Sequence, residues 1–162
     1  MFNHVITATM EIEVSELKST LKKGERLLGL DLGSKTIGLA LSDFLLTIAS
    51  PMETIKRKKF TIDAERLLTI IEEQNVGGLV LGLPMNMDGS EGPRCQSTRQ
   101  FAKNMLEKTD IPISFWDERM STMAVTRTLI EADASRKRRS ELVDKLAASY
   151  ILQGVLDNIS KV

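Results

Sequence analysis

An aspartate stands inside an apolar, glycine-framed segment, Gly29-Leu30-Asp31-Leu32-Gly33-Ser34-Lys35-Thr36-Ile37-Gly38. Leu27, Leu28 and Leu30 form a run that reads as a buried strand, and Gly33 and Gly38 mark a tight turn into a second strand. A carboxylate in such a run is expensive to bury unless a cation compensates it. The glycines let a phosphate or its metal come close to the backbone. Asp31 therefore reads as a metal ligand, and the alternative is an Asp that caps the turn at the strand end.

The rest of the pattern predicts an α/β chain. Residues 1–26 read as an N-terminal extension, with a short amphipathic helix from Val14, Leu17 and Leu21 and Gly24 as its C-terminal cap. Residues 27–162 read as one domain. Within it, Leu27–Asp31 and Thr36–Ser42 form a hairpin, a loop spans Ile48–Pro51, and Glu53–Ile55 add a third strand. A helix is expected over Thr61–Glu73, interrupted by Asn75 and the Gly77-Gly78 pair. Leu79–Leu83 has the unbroken apolar character of a strand covered on both faces. The Gly- and Pro-rich stretch Pro84–Pro93 must be a loop, and a helix with Phe101 and Met105 inward follows it. Ile113–Trp116 is the last strand, running into Asp117-Glu118-Arg119. Two helices close the chain, Thr122–Glu131 and Ser140–Asn158, the second with Leu142, Leu146, Ala147, Tyr150 and Ile151 inward. Hairpin strands followed by alternating strands and helices indicate a mixed central sheet flanked by helices.

Composition narrows the chemistry. The 162 residues carry 22 basic and 22 acidic side chains, so net charge alone points to no partner. The basic residues are clustered, at Lys56-Arg57-Lys58-Lys59 and at the predicted loop Arg136-Lys137-Arg138-Arg139, and local patches make a phosphate footprint. The single Cys95 excludes an internal disulfide or a cysteine-based zinc site, and suits a reducing cytoplasm. No apolar stretch is long enough to span a bilayer, and Met1-Phe2-Asn3-His4 does not begin a secretory signal. His4 is the only histidine, so a Ser–His or Cys–His pair is disfavoured. Hydrolysis would then need water activated by Mg²⁺ or Mn²⁺ held on carboxylates, because oxygen-only ligation selects hard cations.

Three carboxylates stand where elements begin or end. Asp31 is in the first strand, Glu118 is at the tip of the last, and Asp144 lies in the last helix beside its inward side. Glu141, three residues earlier, is a candidate fourth ligand. Each acid has a structural alternative: Glu118 a salt bridge to Arg119, Asp144 a surface acid, Glu141 a first-turn helix acid. Together they suit a two-metal phosphodiesterase, whose ions lie about 3.5–4 Å apart. Ser34 and Lys35 beside Asp31, Arg94 in the Gly-Pro loop, Arg119 beside Glu118, and Arg136, Lys137, Arg138 and Arg139 are candidate phosphate-binding groups.

Several motifs follow one another in order: Gly29-Leu30-Asp31-Leu32-Gly33, Ile37 to Asp43, Ala49-Ser50-Pro51, Leu81 to Gly89, Asp117 to Thr122, Asp144 to Ala148, and Ile151-Leu152-Gln153. In this the chain resembles the YqgF (RuvX) family over Leu27 to Asn158. The resemblance implies an RNase H-like fold and a Holliday-junction-resolvase-like or pre-16S rRNA nuclease activity. It also implies Asp31, Glu118 and Asp144 as the metal-binding triad, and leaves Glu141 and the extension unassigned. The leading expectation is a metal-dependent nuclease of structured RNA that trims the 5′ end of pre-16S rRNA within a pre-ribosomal particle. A resolvase of four-way DNA junctions is the alternative enzyme, and a non-catalytic nucleic-acid-binding module is a third reading. An actin-like ATPase would need two lobes, which 162 residues do not supply.

Overall fold

The computed structural model describes residues 11–120 and 136–160, with side chains in the last helix described from Lys145 onward. Its frame is a five-stranded sheet of order β3-β2-β1-β4-β5, with the leucine-rich β1 (Arg26–Leu32) in the middle. β2 (Thr36–Ser42) and β3 (Ala49–Lys56) continue antiparallel on one side. On the other side β4 (Val76–Leu83) runs parallel to β1 and β5 (Ile113–Asp117) parallel to β4. Parallel neighbours require crossovers, supplied by helices α2 (Phe60–Glu73) and α3 (Pro93–Leu106). All eight residues of β4 are buried, as befits a strand with helices on both faces.

Two cores follow from strand alternation. One face carries Leu28, Leu30, Leu79 and Leu81 against Leu67 and Ile70 of α2 and Phe101 and Met105 of α3. The other carries Leu27, Ala40 and Val80 against helix α4 (Arg136–Ile159), through Ala147, Ala148, Ile151, Leu152 and Val155. Helix α1 (Val14–Thr20) joins this second core through Leu17, which is fully buried. Just before α1, the Ile12 N–H donates to the Ile113 carbonyl at 2.9 Å and Ser114 Oγ donates to the Ile12 carbonyl at 2.6 Å. Residues 11–20 thus lie along the β5 edge of the sheet.

Several local expectations are corrected. Ala49–Pro51 belongs to β3 rather than to a loop: Pro51 pairs with Ala40 on an edge strand at a register shift, where a residue without an N–H is tolerated. Gly24 does not cap α1, which ends at Thr20 with Leu21 as its C-cap; its φ of +85° closes the next turn, where the Glu25 N–H donates to the Lys22 carbonyl. Gly77 and Gly78 lie within β4, and the helix ends at Glu73 with Gln74 as its C-cap, Asn75 at φ +53° turning the chain into the strand. Arg136–Arg139 form the first turn of α4 instead of a loop, since Arg and Lys are good helix formers. Tyr150 is exposed, because small Ala147 and Ala148 take the place against the sheet. The helix expected at Thr122–Glu131 lies outside the described residues.

Candidate active site

Strand parity fixes where the buried Asp31 points. A Cβ on Gly29 would stand 2.8 Å from the Leu152 Cβ and 3.1 Å from the Ala148 carbonyl oxygen, so Gly29 faces α4 at close quarters. Asp31, two residues on, faces the same way, at the C-terminal end of β1 and only 4% exposed. On β4, Leu81 pairs with Leu30, which puts Gly82 next to Asp31. Gly82 also faces α4, where a Cβ would run into Ile151.

Glu118 opens the short 3₁₀ turn (Glu118–Met120) that follows β5. Its Oε2 lies 2.8 Å from the point a Gly82 Cβ would occupy. Asp31 and Glu118 therefore meet on one face and at one end of the sheet. Asp31 is one strand spacing, about 4.8 Å, from the glycine that Glu118 overlies.

Helix α4 runs toward the same end. Its later residues, Val155 and Ile159, pack with Leu27 and Leu17, and Leu17 lies against Gly78 at the start of β4. Its earlier turns accordingly extend toward the strand C-termini. Asp144 lies on α4 one turn before Ala148, and its side chain, like that of Glu141, is outside the described set. Among the described residues no three His, Cys, Asp or Glu side chains gather into a metal-binding group.

The predicted phosphate-binding residues divide. Ser34 and Lys35 are exposed at the β1–β2 turn, whose Gly33 N–H donates to the Thr36 carbonyl at 2.8 Å. Ser34 shares a cleft with Arg94 and with Arg57 from the other basic block. Arg119 has internal partners: it forks onto Asp117, with Nη2 2.6 Å from Oδ2, and its Nη1 donates to the Met87 carbonyl at 3.2 Å. These bonds tie the end of β5 to the 84–92 loop and hold the Asp117 carboxyl below its ordinary range. Arg136–Arg139 occupy the first turn of α4, so the block leads along the helix to Asp144.

Two contributors escape a sequence reading. Gly82 matters through the side chain it lacks, and its only signal is one glycine in an otherwise apolar run. Arg57 sits in a charge block that gives no hint of which end of the sheet it serves.

The chain matches, over residues 25–158, the family model described as RuvX, Holliday junction resolvase. It belongs to the RuvX family. Relatives in that family share much of its length. A Paramagnetospirillum magneticum protein named "Putative pre-16S rRNA nuclease" is 67% identical over 146 residues, covering 90% of this chain and 94% of the relative. One of the same name from Roseobacter denitrificans is 58% identical, with 91% of each chain covered. Among solved structures, Thermus thermophilus RuvC in complex with a Holliday junction substrate aligns with a TM-score of 0.54 at 13% identity, covering 85% of this chain and 98% of that one. The fold is RNase H-like, as such resolvases share it. Among the described residues no helix is long and apolar enough to cross a membrane.

Proposed function

We propose that this RuvX-family chain is a divalent-metal-dependent nuclease that hydrolyses phosphodiester bonds of structured RNA, processing the 5′ end of pre-16S rRNA on a pre-ribosomal particle in the cytoplasm. The observation that carries this reading is the meeting of Asp31 and Glu118 across Gly82, with α4 bringing Asp144 toward the same end. The names of relatives at 67% and 58% identity supply the substrate.

The donor set fits a hard cation. Asp31 is a carboxylate in an otherwise apolar strand, almost fully buried, and the missing side chain of Gly82 leaves space for the Glu118 carboxylate. Oxygen ligands alone suit Mg²⁺ or Mn²⁺. Asp31, Glu118 and Asp144 would hold the ions, with Glu141 a candidate fourth ligand. The chemistry supplied there, when the ions are bound, is activation of water and neutralisation of charge building on the phosphate. The protein's own task is placement. Packing of α4 on Gly29 sets the height of Asp144, β1 holds Asp31 rigidly, and Arg119 anchors the end of β5 from which Glu118 projects. Ser34 and Lys35 offer donors beside Asp31, and Arg136–Arg139 would guide the backbone along α4.

The test is incubation of purified protein with Mg²⁺ or Mn²⁺ and a pre-16S rRNA fragment or a four-way DNA junction. Cleavage of the RNA at its precursor end is the expected result, and an intact RNA beside a cut junction would overturn it. The junction belongs in the test because the family description names junction resolution.

A further inference from the structure

On the opposite side of β1 from α4, a cleft of about 340 Å³ opens between the β1–β2 turn and the first turns of α3. Gly33 and Ser34 form one wall, Arg94, Ser97 and Thr98 the other, and Arg57 closes it from the end of β3. Arg57 is pre-positioned: its Nη1 donates to the Gly33 carbonyl at 2.6 Å, and its guanidinium lies 5.9 Å from the Phe101 ring centroid. A guanidinium fixed in this way keeps its remaining donors for an anion at little further entropic cost. The α3 wall adds to the field. Gly92 precedes the helix with no side-chain cap, no acidic residue occupies its first turn, and the preceding Glu91 is paired with Arg99 at 2.7 Å, so the positive end of this 14-residue helix favours an anion there. None of the residues lining the cleft is acidic.

We propose that this cleft binds a backbone phosphate of the RNA strand, through Arg57 and Arg94 with Ser34 and Ser97 as hydroxyl donors. The assignment rests on the reading of the chain as an RNA nuclease and adds a second anchoring point to it. Its place is favourable: Gly33 follows Asp31 by two residues, so the cleft opens at the same end of β1 as the acids, across the strand end from the face toward which Asp31 points. A strand laid over the end of β1 would present one phosphate to Asp31 and Glu118 and a near neighbour to the cleft. Arg57 and Arg94 act there as substrate-positioning groups, with no part in the bond cleavage.

The experiment uses Arg57→Gln, Arg94→Gln and the double variant, binding a fluorescent pre-16S 5′-end RNA without divalent metal over a salt series. The double variant should bind about ten-fold more weakly near 0.1 M salt, with the slope of log K smaller by roughly 0.7–0.9 per phosphate lost. Its single-turnover cleavage at saturating RNA should stay within about three-fold of wild type, the behaviour of a contact shared by ground and transition states. A neutral methylphosphonate moved one linkage at a time past the cut should weaken wild-type binding at one linkage, and the double variant should be insensitive there. Arg94→Gln alone guards against a loosened turn, since Arg94 stands on α3 and does not bond Gly33. Equal affinities and slopes, or the same sensitive linkage in both proteins, would overturn the subsite. Displacement of RNA by inorganic phosphate together with a flat methylphosphonate scan would also overturn it, assigning the cleft to a free anion. Wild type that leaves RNA intact while the variants still lose affinity for a four-way junction would uphold a phosphate subsite and sink the RNA reading.

Discussion

The Glu118 carboxylate lies over the bare backbone of Gly82, its Oε2 2.8 Å from where a Cβ would begin. The glycine is thus a space reserved for an acid, with Ile151 of α4 on its other side. Gly82→Ala fills that space. The nearest atoms are Cδ1 of the buried Ile151 and Oε2 of Glu118, so the fold should survive at some cost in stability while both side chains, Glu118 among them, are pushed aside. A displacement of about 1 Å at a reacting centre costs on the order of 10²-fold in rate. Nuclease assays beside thermal melts check this, and full activity in a folded Gly82→Ala protein would mean that Glu118 is not needed in its present position.

Asp31→Asn keeps the shape and removes the charge. Loss of one preorganised electrostatic group typically costs about 10²–10³-fold, and that is the fall in RNA cleavage expected here. Stability should hold or rise, because the neutral amide removes the cost of burying an ionised carboxylate at a site that is 4% exposed. A variant that unfolds would support the turn-capping role, and one that turns over normally would remove Asp31 from the ligand set.

Leu17 tests how firmly the segment before β1 is bound. It is fully buried in the core beneath α4, so Leu17→Ala should lower unfolding free energy by about 2–5 kcal/mol. Denaturant titration measures the change. A loss below about 0.5 kcal/mol, the scale of a surface substitution, would show that the segment contributes little to the fold.

Acid stability should carry the mark of Asp117. Hydrogen bonds from Arg119 hold its folded carboxyl below the ordinary 3.8. A lowered folded pKa gives stability that is complete above the unfolded value and is lost as pH falls through the folded one. Unfolding free energy measured from pH 6 to below about pH 4 should therefore drop less steeply in Asp117→Asn than in wild type. Superimposable slopes would reduce the bridge to a contact without energetic weight.

Much of this molecule is legible before folding because its central elements obey local rules. The β1–β2 hairpin is visible in Leu27–Gly38, and β4 in five consecutive apolar residues, since burial on both faces leaves no room for alternation. Asp31 stands out because its cost is local. What escapes is relational. Whether Tyr150 or Ala148 faces the sheet depends on how closely α4 can approach Gly29, and that is decided by two segments more than a hundred residues apart. Arg57 reaches Gly33 only once β3 has been laid beside β2. Pro51 reads as a breaker, yet an edge strand with a register shift accepts it.

The close seating of Ala148 and Leu152 on Gly29 has a mechanical meaning. It makes the crossing a fulcrum, with Asp144 on the arm one turn, about 6 Å, beyond it. Lifting the helix by the width of a methyl group at Gly29 would swing that arm away from Asp31 and Glu118 without altering any acid. The alignment of the site is therefore governed from a position that carries no chemistry, and Gly29 behaves as the setting screw of an instrument whose working parts lie elsewhere.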